Sequence, residues 1–204
     1  MLFRSGTVTA SKFLLRTETA QVLIDAGLFQ GLKALRRRNW DSLGLPVPSL
    51  DAAVISHAHL DHCGYLPALV RQGFNGPVFM TADTAALAEI VLRDSAKLQE
   101  EDAKYASSRG FSKHSKPKPL YDLDDVERTL PLFRTVDFDA SVAVADEISV
   151  RLVPAGHILG STSPVITVAG RTVVFSGDLG RANHPLLRPP PPPPAADEIG
   201  RAHV

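Results

Sequence analysis

The segment His57-Ala58-His59-Leu60-Asp61-His62 constrains this chain more than any other. With 7 histidines in 204 residues, an H-x-H-x-D-H pattern is expected by chance only about 0.0006 times per chain of this composition. The run before it, Ala52–Ser56, is short and apolar and reads as a buried strand. On extended backbone His57 and His59, two positions apart, point the same way. The chain then turns, and Asp61 and His62 stand at the start of a helix expected to run to about Gln72. Two pairs of ligands thereby face two adjacent sites. Imidazole and carboxylate suit zinc, with manganese or iron as alternatives. Without a metal such a cluster would repel itself once charged, which argues against a set of ordinary surface histidines.

Three more chemically capable residues follow apolar runs. His157 lies in Pro154-Ala155-Gly156-His157-Ile158-Leu159-Gly160-Ser161, and Asp178 in Phe175-Ser176-Gly177-Asp178-Leu179-Gly180. Taken alone, Asp178 reads as readily as an Asx-turn or helix cap. Asp25, after Gln21–Ile24, reads as a group that caps or orients a ligand histidine rather than binding metal. Ligands at several strand ends are the pattern of a site along one edge of a sheet pair.

The rest of the pattern is mixed. Phe13–Arg16, Gln21–Asp25 and Val78–Thr81 read as strands. A long helix is expected from Asp83 or Thr84 to about Ala106, with Leu87, Ile90, Val91, Leu98 and Tyr105 as its apolar stripe. A basic loop covers 107–119, and a short helix about Leu123–Leu130. Arg134–Phe138, Ser141–Ala145, Ile148–Val153, Pro164–Val168 and Thr172–Ser176 are rich in Val, Ile and Phe and read as strands. Ala169-Gly170 reads as a hairpin turn between the last two. The chain is of the α/β class, but it lacks the strict alternation and the G-x-G-x-x-G of a dinucleotide fold.

Charge and composition narrow the function classes. Lys+Arg 22 against Asp+Glu 22 excludes a dedicated nucleic-acid-coating protein and leaves room for a local basic groove. The candidates for phosphate contacts are Arg36, Arg37 and Arg38, and Lys113 and Lys116 in the basic loop. One cysteine, Cys63, fits a reducing, cytoplasmic setting. No apolar run approaches the ~20 residues of a membrane span, so no membrane partner is expected, and an oligomer is left open. The domain is expected over 6–188, followed by a proline-rich connection over 189–197. Residues 1–5 and 198–204 can be reverse-translated into the two strands of a common sequencing adapter and are set apart as artefact.

Asp25, the H-x-H-x-D-H at 57–62, His157 and Asp178 together resemble the first four motifs of the metallo-β-lactamase fold. The flanking text Gly6-Thr7-Val8-Thr9-Ala10-Ser11, Asp25-Ala26-Gly27-Leu28-Phe29-Gln30-Gly31 and Ser176-Gly177-Asp178-Leu179-Gly180-Arg181 resembles its RNA-processing β-CASP branch, which includes the cleavage-factor endonuclease and bacterial exoribonucleases. The resemblance implies an αββα sandwich, here an incomplete N-terminal piece without the β-CASP domain and the final metal-binding histidine. It implies two zinc ions, one on His57, His59 and His157, the other on Asp61 and His62, with Asp178 bridging. Hydroxide held by the zinc pair, and oriented by Asp61, would cleave an RNA phosphodiester. The alternatives are another hydrolase of the same fold, acting on a thioester, a lactam or a small phosphoester, or an inactive metal-binding fragment.

Overall fold

The computed structural model describes residues 9–109 and 118–200. Lys113, Lys116, residues 1–5 and residues 201–204 lie outside them. Among the described residues, ten strands form two five-stranded sheets. The first sheet takes β1 (Phe13–Arg16), β2 (Gln21–Ile24), β3 (Ala52–Val54), β4 (Val78–Met80) and β5 (Phe133–Thr135) in that order. β1 and β2 pair antiparallel, and β2 through β5 run parallel. The second sheet is an antiparallel meander of β6 (Ser141–Ala145), β7 (Ile148–Pro154), β8 (Thr162–Val168) and β9 (Arg171–Phe175). β10 (Glu198–Gly200) closes its edge parallel to β9, so part of the terminus that the sequence sets apart lies within this sheet. Ser176 N–H donates to Gly200 O at 2.9 Å there.

The two-residue period of a strand decides which side chains meet. On the first sheet Phe13, Leu15, Val22, Ile24, Ala52 and Val54 face one way, into a core shared with Ile148, Val150, Leu152, Ile166, Val173 and Phe175 of the second sheet. Leu14, Leu23, Ala53, Ile55, Val78 and Met80 face the other way. There they meet α2 (Leu60–Cys63), α3 (Leu66–Arg71), α4 (Ala82–Arg109) and α5 (Leu123–Thr129). The first sheet is covered on both faces, which is why its strands are almost continuously apolar. β7 instead alternates, with Ser149 and Arg151 half-buried between buried Ile148, Val150 and Leu152.

Two expectations need correction. The helix from Asp61 to Gln72 is two helices, because Gly64 ends α2 and Pro67 sits in the first turn of α3, where its missing N–H costs nothing. The apolar stripe of α4 is also different. Leu87 and Val91 do pack against the core, but the fully buried face is Thr84, Ala88, Leu92 and Ala96, and Ile90, Leu98 and Tyr105 are more than half exposed. Small residues four apart let the helix lie close on the sheet, and bulk alone misidentifies the inward face.

Candidate metal centre

Four loops leave the sheets at one edge and bring the singled-out residues together. Asp25 follows β2 and sits at φ +57, a left-handed conformation that an aspartate tolerates better than most residues. Its N–H donates to Val54 O at 2.8 Å, which fixes the carboxylate beside the end of β3. Asp25 Oδ1 accepts from Ser56 N–H at 2.8 Å, and Oδ2 accepts from Ser56 Oγ at 2.9 Å and His62 Nδ1 at 2.7 Å. With its proton given to Asp25, Ser56 Oγ accepts from His57 Nδ1 at 3.0 Å. That tautomer leaves the lone pair of His57 on Nε2. Ser56 is the functional residue that sequence reading missed. Its only signal is its place, directly before the histidine motif at a strand end.

The free nitrogens converge. His59 Nδ1 lies 3.1 Å from His57 Nε2 and 3.2 Å from His157 Nε2. Asp178 Oδ2 is 3.8 Å from His57 Nε2 and 3.5 Å from His157 Nε2. All four donor atoms lie within 4.8 Å of one another. A tetrahedron of ligands at about 2.0–2.2 Å from a common centre has edges of about 3.3–3.6 Å, so three imidazoles and a carboxylate at these separations fit a divalent ion. The other oxygen of Asp178, Oδ1, lies 3.4 Å from His62 Nε2, and Asp61 Oδ2 lies 4.0 Å from the same nitrogen.

The electrostatics divide the histidines. Burial, and after it the charge of His62, pulls the pKa of His57 down to about 2. It therefore offers a neutral imidazole, the form a metal needs. Burial also opposes charge on His62, yet Asp25 and Asp178 outweigh it and raise that pKa to about 10. The carboxylates thus favour a positive charge at the second position. His157 is lowered, by burial first.

Close backbone contacts hold the loops in place. A Cβ on Gly27 would stand 1.6 Å from Asp61 O, and one on Gly180 would stand 1.7 Å from Gly156 O. Ser11 N–H donates to Asp61 O, and Gly180 N–H to Ala155 O, both at 2.9 Å. Ser161 Oγ accepts from His157 N–H at 2.9 Å. Thr81 and Thr84 hydroxyls donate to Gly160 O at 2.8 and 2.9 Å, tying the His157 loop to the start of α4. Of the basic candidates, Arg36 and Arg37 lie on the short helix α1 (Lys33–Arg37), and Arg38 stacks on Phe29 at 4.4 Å.

Paired sheets with histidine and aspartate loops at one edge define a metallohydrolase class. The chain belongs to the metallo-beta-lactamase superfamily, whose model matches residues 7–203. It is 37% identical over 192 residues to ribonuclease TTHA0252 of Thermus thermophilus, covering 94% of this chain and 40% of that protein. It is 31% identical to the transcription termination factor FttA of Cenarchaeum symbiosum, covering 85% and 26%. It is 33% identical to Integrator complex subunit 11 of Danio rerio, covering 77% and 25%. The chain thus spans well under half the length of these relatives, which bear out the resemblance to the RNA-processing branch. Among solved structures, a metallo-β-lactamase of Cronobacter sakazakii with a HARLDQ motif superposes with a TM-score of 0.54 at 24% identity, covering 91% of this chain and 62% of that one. That likeness shows the fold. Family and donor set together imply a divalent metal. Among the described residues no helix is long and apolar enough to cross a membrane.

Proposed function

We propose that the protein is a metal-dependent ribonuclease that cleaves RNA phosphodiesters at a pair of zinc ions. His57, His59 and His157 would hold one ion, Asp61 and His62 would hold the other, and Asp178 would reach both. The observation that carries this reading is the division of Asp178, whose Oδ2 faces His57 and His157 while Oδ1 faces His62. When bound, such a pair supplies a Lewis acid for phosphoryl oxygens and a nucleophile at neutral pH. The protein's own part is orientation. Asp25 and Ser56 set the tautomers of His57 and His62, and Asp61, exposed on one side, is placed to orient the attacking group. The named ribonuclease relative favours RNA over thioester or lactam.

The test is cleavage of a labelled RNA beside hydrolysis of a thioester and a β-lactam, each with zinc and with a chelator. Zinc-dependent cleavage of RNA alone is expected. Turnover of the thioester or lactam with RNA left intact would replace this reading by the small-substrate one. Asp178→Ala is expected to lower bound metal by elemental analysis and to abolish turnover, and full metal content in that variant would overturn the ligand assignment.

A further inference from the structure

A groove of about 540 Å³ is lined by Leu60, which the chain places between His59 and Asp61, by the 28–40 segment, by α4 and by residues 118–120. Trp40 lines it and is 61% exposed. Leaving so large an apolar ring in water forgoes the free energy of its burial. The ring is also carried on a fixed turn. Asn39 Oδ1 accepts from Phe29 N–H at 2.8 Å, and Asn39 Nδ2 donates to Phe29 O at 2.9 Å. Asp41 N–H donates to Arg38 O at 3.1 Å. The opposite wall is equally fixed, because Arg71 donates to Pro119 O at 3.2 Å and to Leu120 O at 2.9 Å, and Leu120 N–H donates to Gln99 Oε1 at 3.2 Å.

Among the described residues, positive charge predominates around Trp40. Arg36 and Lys118 line the groove, against one acid, Asp102. Lys33 and Arg37 stand beside Arg36 on α1, which has no acid in its first turn. Among the described residues none of Lys33, Arg36 and Arg37 has an ion-pair partner.

We propose that this groove binds single-stranded RNA leading to the metal centre, with a base stacked on Trp40 and flanking phosphates on Arg36 and Lys118. The proposal rests on RNA being the substrate. A pre-fixed aromatic beside free cations is the chemistry that holds unpaired nucleotides, whose bases expose a face that a duplex hides. It is sequence-tolerant, since every base has such a face.

Trp40 is the only tryptophan in the chain, so its emission reports on the groove directly. The full protein is titrated with oligoadenylate, with an RNA duplex of the same length, with an abasic ribose-phosphate oligomer and with polyglutamate. Oligoadenylate is expected to quench the emission and the other three to leave it largely unchanged. Trp40→Ala should weaken oligoadenylate binding about five- to a hundredfold, and Trp40→Phe should restore part of it. Arg36→Gln and Lys118→Gln should each reduce the slope of log affinity against log salt by about 0.7. Unchanged emission with oligoadenylate, or equal quenching by polyglutamate, would overturn the proposal. Quenching by oligoadenylate without RNA cleavage would leave the groove standing and remove the ribonuclease reading.

Discussion

Asp25 illustrates how much one side chain organises here. Its two oxygens accept from a backbone N–H, a hydroxyl and an imidazole, and so decide which nitrogens of His57 and His62 remain for metal. Partners of this kind typically contribute 10–100-fold to metal affinity. Asp25→Asn is therefore expected to weaken zinc binding by about that factor with the fold retained, as read by competition with a chromogenic chelator. Lys12 behaves differently. It is buried against the rings of Phe29 and Tyr65, with Nζ 5.0 and 4.4 Å from their centroids. Burial, and next the charge of Arg38, lowers its pKa from 10.5 to about 7. Between these two values the unfolded chain binds the proton and the folded chain does not, so stability rises with pH across that window. Below about pH 7 the cost of the buried charge is present in full. Urea midpoints from about pH 7 to 10 should rise in the wild type by more than in Lys12→Met, and parallel curves would show that Lys12 contributes nothing. The residues of the candidate metal centre can be picked out in the sequence by short spacing and strand-end context, and the fold brings His57, His59, His157 and Asp178 together. Ser56 and Lys12 cannot be picked out in this way, since a lone serine or lysine carries no pattern and its importance comes from what folds around it.

At the scale of elements, strands are more legible than helix faces. β1, β2, β6 and β7 appear in the sequence nearly as they stand, because short apolar runs, continuous in β1 and β2 and alternating in β6 and β7, bounded by turns admit few other readings. α4 is legible in existence and only partly in its face: Leu87 and Val91 pack on the core, but the fully buried positions are Ala88, Leu92 and Ala96, and Ile90, Leu98 and Tyr105 are exposed. β10 is not legible, because its pairing with β9 depends on a partner strand and not on its own three residues. The corrected face makes a sharp prediction. Leu92→Ala should cost about 2–5 kcal/mol of unfolding free energy, and Ile90→Ala less than about 0.5 kcal/mol. Chemical denaturation of the two variants checks this, and equal losses would restore the stripe read from bulk. Gly180→Ala should also be costly, because its Cβ has nowhere to go beside Gly156 O. It is expected to displace the His157 and Asp178 loops together and lower metal content, which elemental analysis would show.

For the whole molecule, the candidate metal centre lies where the two sheets meet. His57, His59, Asp61 and His62 come from the loop and helix after β3, whereas His157 and Asp178 follow β7 and β9 of the other sheet. An ion held between them ties the sheets at that edge in the folded state only. Ligand present at about 100 times its dissociation constant adds about 2.7 kcal/mol to stability. Zinc is therefore expected to raise the melting temperature and a chelator to lower it. His157→Ala, which removes the second sheet's imidazole, should abolish most of the zinc-dependent rise while moving the metal-free melting temperature little. A zinc response unchanged in that variant would show that the ion does not bridge the sheets.

The split of the ligands also has a consequence in time. His157 follows His59 by 98 positions. At ribosomal speeds of about 5–20 residues per second, that interval is about 5–20 seconds of synthesis. Throughout it the nascent chain carries His57, His59, Asp61 and His62 on one turn with no opposing half to close over an ion. Any cation captured then is held by an open set of donors and exchanges freely. On the proposed ligand assignment, secure loading would wait for the second sheet, and metal selection would be a late, post-emergence event governed by the finished cleft rather than by the motif that announces it.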